Sequence, residues 1–130
     1  MSVRLVVAVS LALLGATGPA IAHHSFAAEF DAEKPITLNG TVTRLAWANP
    51  HVWFYLDVKD DAGQVVNWAM EMGSPNGLMR EGWTRHALTI GGAVTVEGFR
   101  AKNGSNVGNA RVVIVASTGQ RLFAASSRGN

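Results

Sequence analysis

The coordination chemistry open to this chain rests mainly on its four histidines, two of which are adjacent. His23 and His24 follow Ala20-Ile21-Ala22. A cut after Ala22 would make His23 the amino terminus. Its α-amine and imidazole Nδ1 could then chelate one metal ion. Two nitrogen donors of this kind suit Cu(II). At least one more imidazole, from His24, His51 or His86, would complete a T-shaped copper brace. The plainer alternative is an exposed terminus whose histidines merely follow the cleavage site, since chain ends stay loose unless something ties them down. Phe26 and Phe30 in "SFAAEF" are placed to provide such an anchor.

A second constellation lies further along. In "HVWFYLDV" the residues His51, Trp53, Tyr55 and Asp57 alternate with Val52, Phe54, Leu56 and Val58. Such alternation marks a strand with one buried face. In "VVNWAMEM", Asn67 and Glu71 share one face, and Trp68, Met70 and Met72 share the other with Val66. His51, Trp53, Tyr55, Asn67 and Glu71 thus outline a shallow ligand-binding face. Cross-strand packing of aromatic side chains would explain the same pattern with no ligand. Met70 and Met72 are soft donors for Cu(I), with Trp68 beside them, yet Met and Trp on an apolar face also serve simply as core. His86, in a turn after Trp83, reads as a surface residue.

These side chains need a scaffold, and the first residues say where it is built. Arg4 precedes the apolar run Leu5–Leu14; Gly15, Gly18 and Pro19 break it; Ala20 and Ala22 fill an A-x-A site. This is the order of a secretory signal peptide over residues 1–22. A cut after Ala20 instead would place His23 third, an arrangement that also suits Cu(II). The expected location is the periplasm or the extracellular medium. No cysteine is present, so disulfides and thiol catalysis are excluded. A net charge of +2, reduced further when Arg4 leaves, is a poor footprint for nucleic-acid binding.

The elements read mostly with a period of two. "ITLNGTVTRLAW" puts Ile36, Leu38, Gly40 and Val42 on one face, with Gly40 marking a bend or bulge. Asp60-Asp61-Ala62-Gly63 reads as a hairpin turn rather than an acidic site. Ser74 and Pro75 are an N-cap and first helical residue, opening a short helix that ends near Gly82. Thr84 caps one further turn through Leu88. "GGAVTVEGF" and "RVVIVA" are strands, and "QRLFA" a short additional one. The expected fold is mainly β: a small five-stranded OB-like barrel with one short helix between strands 3 and 4. Residues 23–35 would pack on the barrel, 36–124 form it, and 125–130 fray. An open sandwich of the same strands is the competing architecture.

The segments "HHSFAAEFD", "GTVTRLAWANPHVWFYLDV", "NWAMEMGSPNGL", "GWTR" and "VTVEGFRAKNGSN" resemble a family of small exported bacterial proteins of unknown function. The resemblance spans nearly all of the chain after the leader. It implies a periplasmic protein with an OB-like barrel and brings no established activity or site residues. A weaker similarity is to periplasmic OB-barrel copper chaperones, which bind Cu(I) through one histidine, two methionines and a tryptophan lid. Their Trp-x-x-Met-x-Met motif departs from Trp68-Ala69-Met70-Glu71-Met72 here, where the tryptophan is one residue closer.

The expected function is therefore a non-catalytic periplasmic binding protein that takes copper through His23, with His24 or His51 completing the site. The alternative is a metal-free module that binds a partner protein or small organic ligand on the aromatic face. A copper-dependent redox enzyme is a third class. Ser25, Ser74 and Ser105 lack a histidine–carboxylate context, and neither a G-x-x-x-x-G-K-[ST] loop nor an H-E-x-x-H pair occurs.

Overall fold

The computed structural model describes residues 26–125. The expected signal peptide, His23, His24 and most of the expected tail lie outside them; Ala125, the last described residue, is buried. The chain is mainly β. A short helix, α1 (Phe26–Glu29), leads into the long strand β1 (Phe30–Ala46), followed by β2 (Trp53–Lys59) and β3 (Val65–Glu71). A second short helix, α2 (Pro75–Arg80), precedes β4 (Ala93–Ala101), β5 (Val107–Val115) and β6 (Arg121–Phe123). The sheet has six strands in the order β3-β2-β1-β4-β5-β6, and β3 pairs additionally with β5. That last pairing is parallel, from Ala69 opposite Val107 to Glu71 opposite Asn109. None of the described helices is long and apolar enough to cross a membrane.

β1 starts at Phe30 rather than Ile36, so part of the expected N-terminal segment joins the strand. It serves two neighbours. Residues up to Thr41 pair with β4, and residues from Gly40 onward pair with β2. A long strand shared in this way must coil. The ladder with β2 breaks register between Val42 and Arg44, leaving Thr43 as an extra residue. The bulge therefore falls at Thr43, not at Gly40. Its consequence is a change of phase, since side chains alternate strictly with a period of two. Leu38 and Val42 are buried before it; after it Leu45 turns to the core. Gly40 answers a different need. A Cβ there would lie 2.6 Å from the Asp57 carbonyl oxygen and 2.8 Å from Leu56 Cδ1.

The other strands follow their sequence pattern closely. On β2 and its approach, Val52, Phe54, Leu56 and Val58 are buried while His51, Trp53, Tyr55 and Asp57 are half-buried. Trp68, Met70 and Met72 project into the same core, joined by Val94, Val96 and Val113. The β2–β3 turn is held by Asp60, whose Oδ1 accepts from the Ala62 and Gln64 amides at 2.9 and 2.8 Å. Gly63 supplies the positive φ of 78°. Turn chemistry thus accounts for Asp60.

Ser74 caps α2, its Oγ accepting from the Gly77 amide at 3.1 Å, and Pro75 opens the helix. Gly82 follows with φ 92°. Leu78, Trp83 and Leu88 then carry the segment onto the core. Trp83 is 2% exposed, and its Nε1–H donates to the Phe123 carbonyl at 2.7 Å. A buried indole needs such a partner, and this one ties the helical connection to β6.

Candidate functional site

The outward face of β2 and β3 is where a site can be built, because period-two alternation sends His51, Trp53, Tyr55, Asn67 and Glu71 there. Register brings Trp53 opposite Glu71, Tyr55 opposite Ala69, and Asp57 opposite Asn67. All the residues expected on this face do share it, but they separate into two groups.

At one end, Tyr55 lies beneath the Arg44 guanidinium, 3.8 Å from the ring centroid. Asn67 Nδ2 donates to Asp57 Oδ1 at 2.9 Å and to the Leu56 carbonyl at 3.3 Å. These contacts satisfy one another at a partly exposed end of the face.

The other end is different. Glu71 is only 7% exposed, and Asn109, its neighbour on β5, is equally buried. Burying a carboxylate is costly unless hydrogen bonds replace its water. His51 Nδ1–H donates to Glu71 Oε1, and the Asn109 side chain is a further hydrogen-bond partner. Burial pushes the Glu71 carboxyl above its ordinary value. The charge and hydrogen bond of His51 pull it down, the nearby negative charge of Glu29 pushes it up, and Asn109 pulls it down again. Desolvation is the largest of these effects. No buried side-chain nitrogen or oxygen among the described residues is left without a partner.

The backbone beside His51 is paired as well: the next residue, Val52, exchanges hydrogen bonds with Met72 and Gly73 at 2.8 and 3.0 Å. The imidazole therefore stands on fixed backbone with a buried carboxylate on Nδ1. With Glu71 ionised and accepting only, the proton resides on Nδ1, and Nε2 becomes the donor nitrogen for any ligand. A carboxylate behind a metal-binding histidine acts in this way, fixing tautomer and ring orientation.

The start of the described chain covers this end of the sheet. Phe26 stacks on Phe30 at 5.7 Å and meets the edge of Phe99 at 5.5 Å. Lys102 Nζ donates to the Ala27 carbonyl, while the Lys102 amide donates to the Glu29 carbonyl at 2.9 Å. Phe99 pairs with Asn109, and Asn109 with Glu71. α1 is thus moored one strand away from Glu71. A cleft of about 340 Å³ opens between α1 and Trp53, with Lys102 and Ser105 on its far wall.

Trp68, Met70 and Met72 stand on the opposite side of β3, at 7%, 0% and 1% exposure. The sheet itself separates them from His51 and Glu71. His86 is exposed; its amide is received by Thr84 Oγ1 at 3.2 Å. Among the described residues no group of three or more His, Cys, Asp or Glu side chains is arranged to hold a metal. Of the three histidines expected to form the site, His51 lies among the described residues, and His23 and His24 precede them.

Two participants are not among the residues expected from the sequence. Asn109 precedes the strand "RVVIVA" and belongs to β5, where an amide at a buried position of the apolar run "VGNARVVIV" is itself a signal of a polar partner. Glu29 carries no such signal, because its proximity to Glu71 is a product of the fold.

Comparison with curated proteins and with solved structures finds no match for this chain. The profile of a family of unknown function, DUF6152, matches residues 11–110, most of the sequence. The chain therefore belongs to the DUF6152 family.

Proposed function

We propose that this protein is exported, folds as an OB-like barrel, and binds copper without catalysing a reaction. The barrel reading is supported by the pairing cycle β1–β2, β2–β3, β3–β5, β5–β4 and β4–β1. In that cycle each of the first five strands has two partners, which is how a small sheet disposes of its edges. α2, between β3 and β4, lies where the helix of such a barrel belongs.

The observation that carries the copper reading is the His51–Glu71 pair. A carboxylate buried at 7% exposure on the outward face of a strand has no packing role that an apolar residue would not serve better. Its effect is to orient one imidazole. One imidazole alone does not retain a copper ion, and His23 and His24 supply the remaining nitrogens in this proposal. His24 precedes Phe26 by two residues in the sequence, and Phe26 is packed on Phe30 and Phe99. Two residues span at most roughly 7 Å, so the proposal places His24 within that distance of the Phe26 anchor. With the methionines on the core side, the donor set is all nitrogen and favours Cu(II) over Cu(I).

Cu(II) titration of protein processed after Ala22 tests this. His51→Ala should weaken binding strongly, and Glu71→Gln by about 10–100-fold, the usual effect of removing a carboxylate behind a ligand. One extra residue before His23 should also weaken it. Equal affinity in all three would refute the site.

The cleft beside Trp53 and the aromatic Arg44–Tyr55 contact support a second reading, a metal-free module that binds a partner protein or organic ligand across Trp53, Tyr55, Asn67 and Glu71. Binding of such a partner would survive a copper chelator and fail in Trp53→Ala.

A further inference from the structure

On the other side of α1 lies a groove unrelated to the copper proposal. It has a volume of about 570 Å³ and is lined chiefly by apolar side chains, including Phe26, Pro35, Ile36 and Phe99. This size falls within the usual range for small-molecule sites. Two charged residues reach it, Glu97 and Arg111. Glu97 is already committed: Arg121 donates to both its carboxylate oxygens, at 3.1 and 2.8 Å. Arg111 has no carboxylate within ion-pair distance among the described residues. Its guanidinium instead lies 6.0 Å from the Phe99 ring centroid and 5.8 Å from that of Phe123.

The backbone places Arg111 there by a specific device. β4 and β5 break register between Glu97 and Gly98, with Glu97 opposite Val112 and Gly98 opposite Ala110. Arg111 is the extra residue of that bulge. A bulge re-aims its side chain out of the normal alternation, and in a strand whose neighbours Ala110 and Val113 are fully buried it brings a cation into an apolar groove. Gly98 makes the bulge feasible, because the Asn109 carbonyl oxygen would lie 2.1 Å from any Cβ at that position.

We propose that this groove binds a small organic carboxylate with an apolar body, the carboxylate taken by Arg111 and the body resting on Phe26, Ile36 and Phe99. The guanidinium fork matches a carboxylate in two parallel hydrogen bonds. Phe99 and Phe123 flank it, with ring centroids at the outer edge of cation–π range, so its apolar surroundings favour an anionic ligand group that pairs with it. A neutral ligand would leave Arg111 without a counter-charge, and a small inorganic anion would leave the apolar walls wet.

Phenylacetate is the probe, with phenylacetamide as its neutral counterpart, each titrated into the purified protein and followed by backbone amide NMR. Phenylacetate should give saturable shifts at Phe99, Arg111 and Phe123, and Arg111→Gln should weaken it about tenfold or more, the scale of a lost charge-assisted pair. Phenylacetamide should bind the unaltered protein at least about tenfold more weakly by the same reasoning. Shifts confined to other regions, or no saturable shift, would overturn the assignment. So would equal affinity for the two probes, a comparison that needs no variant to fold.

Discussion

Replacing Gly98 by alanine is the most searching test of the fold beneath both proposed sites. A Cβ at this position would lie 2.1 Å from the Asn109 carbonyl oxygen, 3.0 Å from its carbon and 3.2 Å from Ala110 Cα. Carbon and carbonyl oxygen settle at about 3.3 Å or more, so roughly 1.2 Å must be found. Every obstructing atom is backbone, and no side chain can swing aside. β5 must retreat from β4 around the Gly98–Ala110 and Phe99–Asn109 partners. A retreat of that size stretches about two ladder hydrogen bonds beyond useful length, and each buried group so orphaned costs about 1–3 kcal/mol. Alanine recovers about 0.5–1 kcal/mol because it is less flexible than glycine when unfolded. The expected net loss is about 3 kcal/mol, a large share of the 5–15 kcal/mol typical of a domain. In urea, with a slope of about 1–3 kcal/mol per molar, the midpoint should fall by about 1–3 M. Gly63→Ala is the control. No atom lies within 4 Å of its Cβ position, and its φ of +78° is the sole objection, worth about 1–2 kcal/mol. Should Gly98→Ala cost under about 1 kcal/mol, or no more than the control, the claim that close backbone approach dictates this glycine is wrong.

Two further outcomes follow from buried polar groups. Burial raises the Glu71 carboxyl above 4.5 in the folded state, so the native protein holds this proton more tightly than the unfolded chain. The associated stability is complete below 4.5 and is lost as pH rises through the raised folded value, at no more than about 1.4 kcal/mol per pH unit. Glu71→Gln removes that loss, so urea midpoints from pH 4 to 8 should show the variant gaining on the parent as pH rises; a constant difference would contradict the desolvation argument. Trp83→Phe deletes the 2.7 Å bond to the Phe123 carbonyl and leaves a void, at a combined cost of about 2–4 kcal/mol. Thermal unfolding should drop by about 10 °C or more, and an unchanged midpoint would mean that β6 is held by other contacts.

Sequence alone determined what local rules govern. The strict alternation of "HVWFYLDV" fixed which side chains of β2 enter the core, because successive side chains of a strand point to opposite faces. Ser74-Pro75 located the start of α2, and Asp60 with Gly63 located the first hairpin turn, since each satisfies backbone groups within a few residues of itself. The shared face of His51, Trp53, Tyr55, Asn67 and Glu71 was legible for the same reason. Tertiary structure decided which of these faces neighbour one another. Alternation says nothing about which strand lies alongside, so the parallel approach of β5 to β3, and with it the Asn109 partner of Glu71, was hidden. Bulges were hidden too: the extra residues at Thr43 and Arg111 come from fitting coiled strands against twisted neighbours. That is a property of pairs of strands, and no single strand's residues encode it. Through such long-range pairing the fold made His51 an oriented imidazole and turned Arg111 into an apolar groove.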